Sequence, residues 1–245
     1  MRSTTEWQFW GRHDPMWAVR TSKGRERDGP NPWTVDEFRA SGRSDCADIM
    51  HHWNHYGRIR GGVCIEIGCG CGRLTSPLLS HFDRVLGIDV SPDQIALARR
   101  ILGNETARVD FRIVTSPAID APPGSCSAMI STFVFQHLSD YSGIVSYLRE
   151  AYRALAPGAS VCFQIPVPGA ETGDIPSPRD RVVKFVGTHL RRAFGLYRFM
   201  EYNRYPASRI VSTLQAIGFV DVEVRIFRLT GRNVRYSFFF ARKPA

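Results

Sequence analysis

Three glycines alternate with two cysteines directly after a short apolar run, in the stretch CIEIGCGCG over residues 64–72. The glycines Gly68, Gly70 and Gly72 let a ligand approach the backbone closely and supply dihedral angles that other residues avoid. A helix is predicted to begin after the loop, so free N–H groups and the positive end of its dipole would face the ligand. Asp89 ends the next apolar run, about 20 positions on, where a carboxylate is placed for ribose hydroxyls. The pattern indicates a nucleotide-type ligand.

The glycine spacing separates two classes of such ligands. A dinucleotide-binding loop needs a glycine three residues after the second one, and Arg73 stands at that position. Glu66, two residues before the first glycine, would repel a pyrophosphate but would suit a cofactor that carries an amine and a positive centre. The loop therefore argues against a dinucleotide.

Two groups of residues have the types that bind metals. Cys69 and Cys71 form a CxC pair, but a zinc site needs about four ligands and no second cysteine pair follows, so we interpret them as small turn residues. His51, His52 and His55 form HHWNH, yet the metalloprotease pattern needs a glutamate where His52 stands. We interpret them as a solvated helix face, with a substrate-site role as the alternative, and expect no metal.

The elements that position these residues alternate from residue 63 onward. Short apolar runs predict strands and amphipathic segments predict helices, an alternation typical of a parallel sheet wrapped by helices. The predicted strands lie in VCIEIG, RVLGIDV, VDFRIV, CSAMISTFVFQHL, SVCFQIPV, DVEVRIF and RYSFFFARK. The predicted helices are GRLTSPLLSHF, SPDQIALARRIL with Ser91 as N-cap, YSGIVSYLREAYRAL ending at Pro157-Gly158, and PASRIVSTLQAIGF.

Residues 1–60 precede this alternation and are predicted to be irregular at first and then helical. Thr34 followed by Glu37 has the pattern of a capping box at the helix start. We expect the apolar side chains of this helix to face the core, and these are Phe38, Ile49, Trp53 and Tyr56.

Residues 167–208 interrupt the alternation with a loop rich in proline and glycine, followed by a basic, partly amphipathic helix over 181–200. We interpret this insertion as a lid or substrate wall. Contact of 181–200 with a membrane surface is the alternative. Glu201, Tyr202 and Tyr205 are candidate residues on the substrate side.

Residues 63–99, VCIEIGCGCGRLTSPLLSHFDRVLGIDVSPDQIALAR, resemble the class I S-adenosylmethionine (SAM)-dependent methyltransferases, in the acidic-x-Gly-x-Gly-x-Gly motif and the following GIDVS. LREAYRALAPGASVCFQIP and FFFARKPA are similar to later elements of the family, and WQFWGRHDPMWAVRT and FRASGR to a leader of some bacterial members. The resemblance covers residues 60–165 well and 205–245 more loosely.

The resemblance implies a doubly wound α/β fold with a mostly parallel seven-stranded sheet, the Rossmann-like methyltransferase fold. Residues 1–60 would be an N-terminal helical extension and residues 61–245 the methyltransferase domain, with 167–208 as an inserted lid.

Carried over by position, the same resemblance implies a SAM site. Gly68, Gly70 and Gly72 would surround the methionine moiety, and Glu66 would shape the pocket through polar contacts. Asp89 would hold both ribose hydroxyls.

Further residues follow from the resemblance at the adenine and methyl ends. Val90 would pack on the adenine, and Thr115 or Ser116 stands where the family often has an acidic residue for the adenine amine. Arg43 is a candidate partner of the SAM carboxylate, with a surface role as the alternative. The residues expected beside the transferred methyl are Ser131, Thr132 and Phe133.

The implied activity is methyl transfer by in-line displacement to an oxygen or nitrogen of a small molecule, such as a sugar, a lipid-linked molecule or a secondary metabolite. His137, at the carboxyl edge of the predicted sheet, is the candidate general base, since its ordinary pKa near 6.5 suits proton removal. The alternative is transfer by proximity alone. A nucleic-acid or protein methyltransferase and an inactive SAM-binding protein are the alternative functions; STFVFQHL lacks the Asn/Asp-Pro-Pro-aromatic signature of enzymes acting on flipped bases.

The composition sets wider limits. The formal charge is +9, and only three of the 32 basic residues are lysines, which indicates an anionic partner or arginine-favouring codon usage. The arginines are scattered except over 179–198, so no dedicated nucleic-acid surface is predicted. No apolar run reaches the roughly 18 residues that a membrane span needs, and the first 15 residues lack the continuous apolar stretch of a secretory signal. We interpret the six cysteines as reduced thiols, and together these observations predict a cytoplasmic location. The oligomeric state is not predicted.

Overall fold

The computed structural model of the protein describes residues 2–57, 59, 61–169 and 202–245. The predicted basic helix over 181–200, Glu201 and most of the predicted lid at 167–208 lie outside these residues.

The centre of the fold is a seven-stranded sheet in the order β3-β2-β1-β4-β5-β7-β6, in which β7 runs antiparallel to both of its neighbours and the other pairings are parallel. The predicted doubly wound, mostly parallel sheet is therefore confirmed. The strands are β1 Val63–Ile67, β2 Arg84–Asp89, β3 Val109–Ile113, β4 Cys126–Ser131, β5 Leu155–Gln164, β6 Val220–Arg228 and β7 Arg235–Arg242. The strand order reverses between β1 and β4, where open α/β sheets form a crevice for ligands.

Helices cover both faces of the sheet. They are α1 Arg2–His13, α2 Pro15–Val19, α3 Val35–Tyr56, α4 Thr75–Leu78, α5 Pro92–Leu102, α6 Tyr141–Ala154 and α7 Ala207–Ile217. Because successive side chains of a strand point to opposite faces, Phe238 and Phe240 pack in the core with α3, α4 and α5, while Phe239 packs in the core with α6 and α7. The expected buried face of α3 is confirmed, since Phe38, Ile49 and Trp53 are buried and Tyr56 packs against them.

Two helix starts form as their sequences predict. Thr34 Oγ1 accepts a hydrogen bond from Glu37 N at 3.3 Å, and Glu37 Oε2 accepts one from Thr34 N at 3.2 Å, which completes the capping box of α3. At the start of α5, Ser91 Oγ accepts from Gln94 N at 3.3 Å and Pro92 takes the first helical position.

Three local predictions were wrong. The first residues are helical rather than irregular, as α1 and α2. The helix predicted over 72–82 is the single turn α4, and the chain continues with tighter turns such as the 3.2 Å bond from Leu79 N to Ser76 O. Strand β5 begins at Leu155 rather than at Ser160, directly after the end of α6 at Ala154, so Pro157-Gly158 lies within β5, where the register with β4 shifts and an irregularity accommodates the proline.

Candidate active site

A cavity of about 300 Å³ lies at the carboxyl ends of β1, β2 and β4, at the reversal of strand order. Residues from distant parts of the chain meet in its wall. The residues predicted for the site that line it are Gly68, Gly70, Asp89, Val90, Thr132, Phe133 and His137.

Asp89 connects the two loops at one end of this cavity. Its Oδ2 atom accepts a hydrogen bond from Gly70 N at 2.9 Å, and its Oδ1 atom accepts one from Ser91 N at 2.9 Å. Burial raises the pKa of Asp89 above its ordinary value, and these backbone N–H groups oppose that shift. The carboxylate is thus held in one place in the wall, as the recognition of two ribose hydroxyls requires.

Backbone conformation and close neighbours explain why the loop positions are glycines. Gly70 has φ +52°, and a Cβ atom there would lie 2.6 Å from Val19 Cγ2 on α2. Gly72 has φ +84°, and a Cβ atom there would lie 2.6 Å from Leu102 Cδ1 on α5. Gly72 therefore allows a helix to approach, and it does not line the cavity.

Two more of the predicted site residues lie behind the wall. Glu66 is buried and accepts a hydrogen bond from Thr75 Oγ1 at 2.6 Å, and its burial raises its pKa to about 8. Ser131 Oγ donates to the carbonyl of Ile67 at 3.1 Å and so ties β4 to β1. Both side chains support the loops that form the cavity.

Thr115 and Ser116 are exposed after β3 and lie outside the cavity wall. Arg43 is exposed on α3 and also lies outside it. The side of the cavity nearest to Asp89 is formed instead by two other residues. Val90 was predicted for the site, whereas Gln94 was not indicated by the sequence.

His137, which follows β4, also lies in the cavity wall. Its ring meets the ring of Trp7 edge-on with centroids 5.0 Å apart, and its Nε2 atom lies 3.0 Å from Gln136 Nε2. If the Gln136 amide donates this bond, the proton of a neutral His137 ring is on Nδ1. Tyr202 also lines the cavity, with its ring centroid 6.3 Å from that of His137. Tyr205 does not line it and packs against Tyr141.

The N-terminal segment forms part of the wall, which no prediction included. Trp7, Val19 and Arg20 line the cavity, and Gln8 Nε2 donates to the carbonyl of Val90 at 3.2 Å. A local signal existed in the aromatic stretch WQFWGRHDPMW, but only packing of α1 and α2 against α5 brings it to the site. The further lining residues that sequence reasoning missed include Gln136, Leu138, Tyr147 and Arg232.

Among the described residues, no group of three His, Cys, Asp or Glu side chains is placed to hold a metal ion. All six cysteines are buried free thiols, and burial raises the pKa of Cys69 and Cys71. His55 Nδ1 lies 2.7 Å from the carbonyl of His51, and His52 stacks on Phe227, away from the cavity. No helix in the described part of the chain is long and apolar enough to cross a membrane.

The known proteins to which this chain is similar are methyltransferases. A family model described as a methyltransferase domain matches residues 64–158. The demethylmenaquinone methyltransferase of Thermus thermophilus is 31% identical over 159 residues, a match that covers 62% of this chain and 71% of that protein. The ubiquinone biosynthesis O-methyltransferase of Methylocella silvestris is 32% identical over 87 residues, which are 36% of this chain and 34% of the relative.

Among solved structures, the magnesium protoporphyrin IX methyltransferase of Synechocystis with bound SAH matches with a TM-score of 0.63 at 15% identity. The match covers 98% of this chain and 99% of that one. At this identity the likeness shows the shared fold.

Proposed function

The chain belongs to the class I S-adenosylmethionine-dependent methyltransferases, with SAM as cofactor, and we propose that it transfers the methyl group to an oxygen or nitrogen of a small molecule. The observation that carries this proposal is that Asp89, Gly70 and His137 line one and the same cavity. A donor site and a candidate proton acceptor thus share one space.

The residues present fit SAM. The fixed carboxylate of Asp89 would accept hydrogen bonds from the ribose hydroxyls, and Val90 would pack on the adenine. The backbone at Gly68 and Gly70, which lines the cavity, would face the methionine moiety, as the resemblance implies. When bound, SAM supplies an electrophilic methyl group on a positively charged sulfur.

His137 would take the proton of an attacking hydroxyl or amine at Nδ1, which requires that Nε2–H donates to the Gln136 amide oxygen rather than accepting from its nitrogen. Gln136 at 3.0 Å and the edge-on ring of Trp7 hold the imidazole in the wall. The main contribution to the rate would be alignment of acceptor and methyl group in a cavity closed by the N-terminal helices.

A small-molecule acceptor is supported by the names of the relatives, a demethylmenaquinone methyltransferase and a ubiquinone biosynthesis O-methyltransferase. The extension at 1–60, the domain at 61–245 and the lid at 167–208 stay part of the proposal, as do contact of 181–200 with a membrane surface and a cytoplasmic location.

The test is transfer of labelled methyl from SAM into a lysate of the source cells. We expect the wild-type protein to label a low-molecular-weight product and the Asp89→Ala variant to label none. Label in nucleic acid or protein instead would contradict the acceptor class, and SAM binding without any labelled product would favour an inactive SAM-binding protein.

A further inference from the structure

Three arginines converge on one buried carboxylate beside the cavity. Asp45 on α3 is 1% exposed, and its Oδ2 atom lies 2.7 Å from Arg73 Nη1 and 2.7 Å from Arg232 Nη2. Arg20 Nη1 lies 3.6 Å from the same oxygen. The three arginines exceed the buried carboxylate by two charges, or by one when the nearby Asp48 is counted, and their side chains are at most 15% exposed. Charge withdrawn from water is costly unless it is paired, so this cluster favours a further anion.

Two of these arginines, Arg20 and Arg232, reach the cavity, and Arg73 lies behind them. The guanidinium of Arg232 lies over the ring of Phe133 at 4.8 Å, and its Nη1 atom donates to Tyr236 OH at 3.3 Å. Its Nε atom is buried and has no hydrogen-bond partner in the part of the chain that the structure describes. Arg232 is therefore an oriented donor whose hydrogen-bonding capacity is incompletely used.

Arg232 lies on the side of the cavity where we place the methyl acceptor, away from the strand that carries Asp89. It lies between β6 and β7, and Phe133 follows β4, so both belong to the strands β4-β5-β7-β6 on one side of the reversal. Asp89 lies on the other side, at the end of β2. The turn that carries Arg232 is attached to α3, because Asp48 Oδ2 accepts from Thr230 N at 2.6 Å.

We propose that Arg20 and Arg232 bind an anionic group of the methyl acceptor, a carboxylate or a phosphate, and thereby place its nucleophile beside His137. The inference rests on the proposed function and names its substrate class: a small molecule with a negative charge near the methylated atom. Asp45 orients both guanidinium groups before the acceptor arrives. Planar guanidinium groups match the paired oxygens of such anions.

The test uses the protein saturated with S-adenosylhomocysteine, in which the carboxylate of the cofactor already has its own place. Sodium benzoate and inorganic phosphate are titrated by calorimetry at constant ionic strength into the wild type and into Arg232→Gln, Arg20→Gln and Arg84→Gln. Arg84→Gln is the matched control, since it removes one positive charge from an exposed ion pair with Asp110. We expect the wild type to bind at least one of the two anions, with about 10-fold or greater loss in the first two variants and less than about 2-fold change in the control.

Two results would overturn the proposal. One is that neither anion binds the loaded wild-type protein, or that Arg232→Gln and Arg20→Gln bind it as the wild type does. The other is that Arg232→Gln weakens S-adenosylhomocysteine about 10-fold but leaves decarboxylated SAM unaffected, since the arginine then holds the carboxylate of the cofactor. Arg232→Lys, which keeps the charge but not the planar fork, replaces Arg232→Gln if that variant does not fold. Failure of the wild type to bind S-adenosylhomocysteine would instead contradict the proposed function.

Discussion

The carboxylate of Asp89 and the backbone N–H of Gly70 are joined by a 2.9 Å hydrogen bond, so the residue that ends β2 holds the loop that follows β1. The other carboxylate oxygen accepts from Ser91 N at the start of α5. One side chain therefore arranges two loops of the cavity and also presents an acceptor to its ligand.

Asp89→Ala should abolish this arrangement. We expect SAM affinity to fall about 100-fold or more, because two charge-assisted hydrogen bonds to the ligand and the bond to Gly70 are lost together. Calorimetric titration with SAM measures it, and Asp110→Ala, an exposed aspartate on β3, is the control. Unchanged affinity in Asp89→Ala would remove the cofactor assignment.

Gly70→Ala should be compared with Gly103→Ala. The two glycines have φ of +52° and +56°, so an alanine at either position is strained, and the ψ of −122° at Gly103 lies outside the left-handed helical region that other residues tolerate best. A Cβ atom at Gly70 also meets Val19, whereas one at Gly103 has no heavy atom within 4 Å. We therefore expect both variants to lose stability and only Gly70→Ala to lose SAM binding, as measured by thermal unfolding with and without SAM. Equal responses to SAM would show that the loop does not contact the cofactor.

His137→Ala should lower turnover about 10²-fold or more while SAM affinity stays within about 3-fold. The reason is that His137 follows β4 whereas Asp89 ends β2, and His137 would act on the acceptor rather than hold the cofactor. His81→Ala, an exposed histidine after α4, is the control. A drop of only a few-fold would make His137 a packing partner of Trp7 rather than a base.

Glu66 makes stability depend on pH. Its pKa in the folded protein is about 8, against an ordinary value of 4.5, so between these values the unfolded chain ionises while the folded protein keeps the proton. The wild type therefore loses stability as pH rises from about 5 to about 8. Glu66→Gln cannot ionise, so its melting temperature relative to that of the wild type should increase over this range. A difference that stays constant with pH would contradict the shifted pKa.

Asp45→Asn should destabilise the protein strongly, because Arg20, Arg73 and Arg232 would share a buried site without their anion. We expect a loss of about 3–5 kcal/mol in the free energy of unfolding, measured by urea denaturation. Asp110→Asn removes an exposed carboxylate from a pair with Arg84 and should cost less than about 1 kcal/mol. Similar losses in the two variants would show that the arginines at Asp45 are satisfied by water.

Local sequence correctly predicted the helix starts, because these depend on interactions between residues close together in the chain. The capping box of Thr34 and Glu37 and the Ser91-Pro92 helix start depend on residues a few positions apart, and both form. The start of β5 was misplaced because Leu155 pairs with Cys126 in a neighbouring strand. A pairing partner so distant along the chain leaves no mark in the local pattern.

The sequence by itself determined the alternation of strands and helices and the glycine loop, because both depend on periodicity or on the spacing of adjacent residues, and the resemblance of this region to the class I methyltransferases implied the cofactor. Only the tertiary structure decided which residues share the cavity. It placed Glu66, Gly72 and Ser131 behind the wall, and it brought Arg20 and Arg232 to one side of it. The reason is that residues up to 187 positions apart in the chain contact the buried carboxylate of Asp45. Such contacts depend on packing and charge rather than on the spacing of residues.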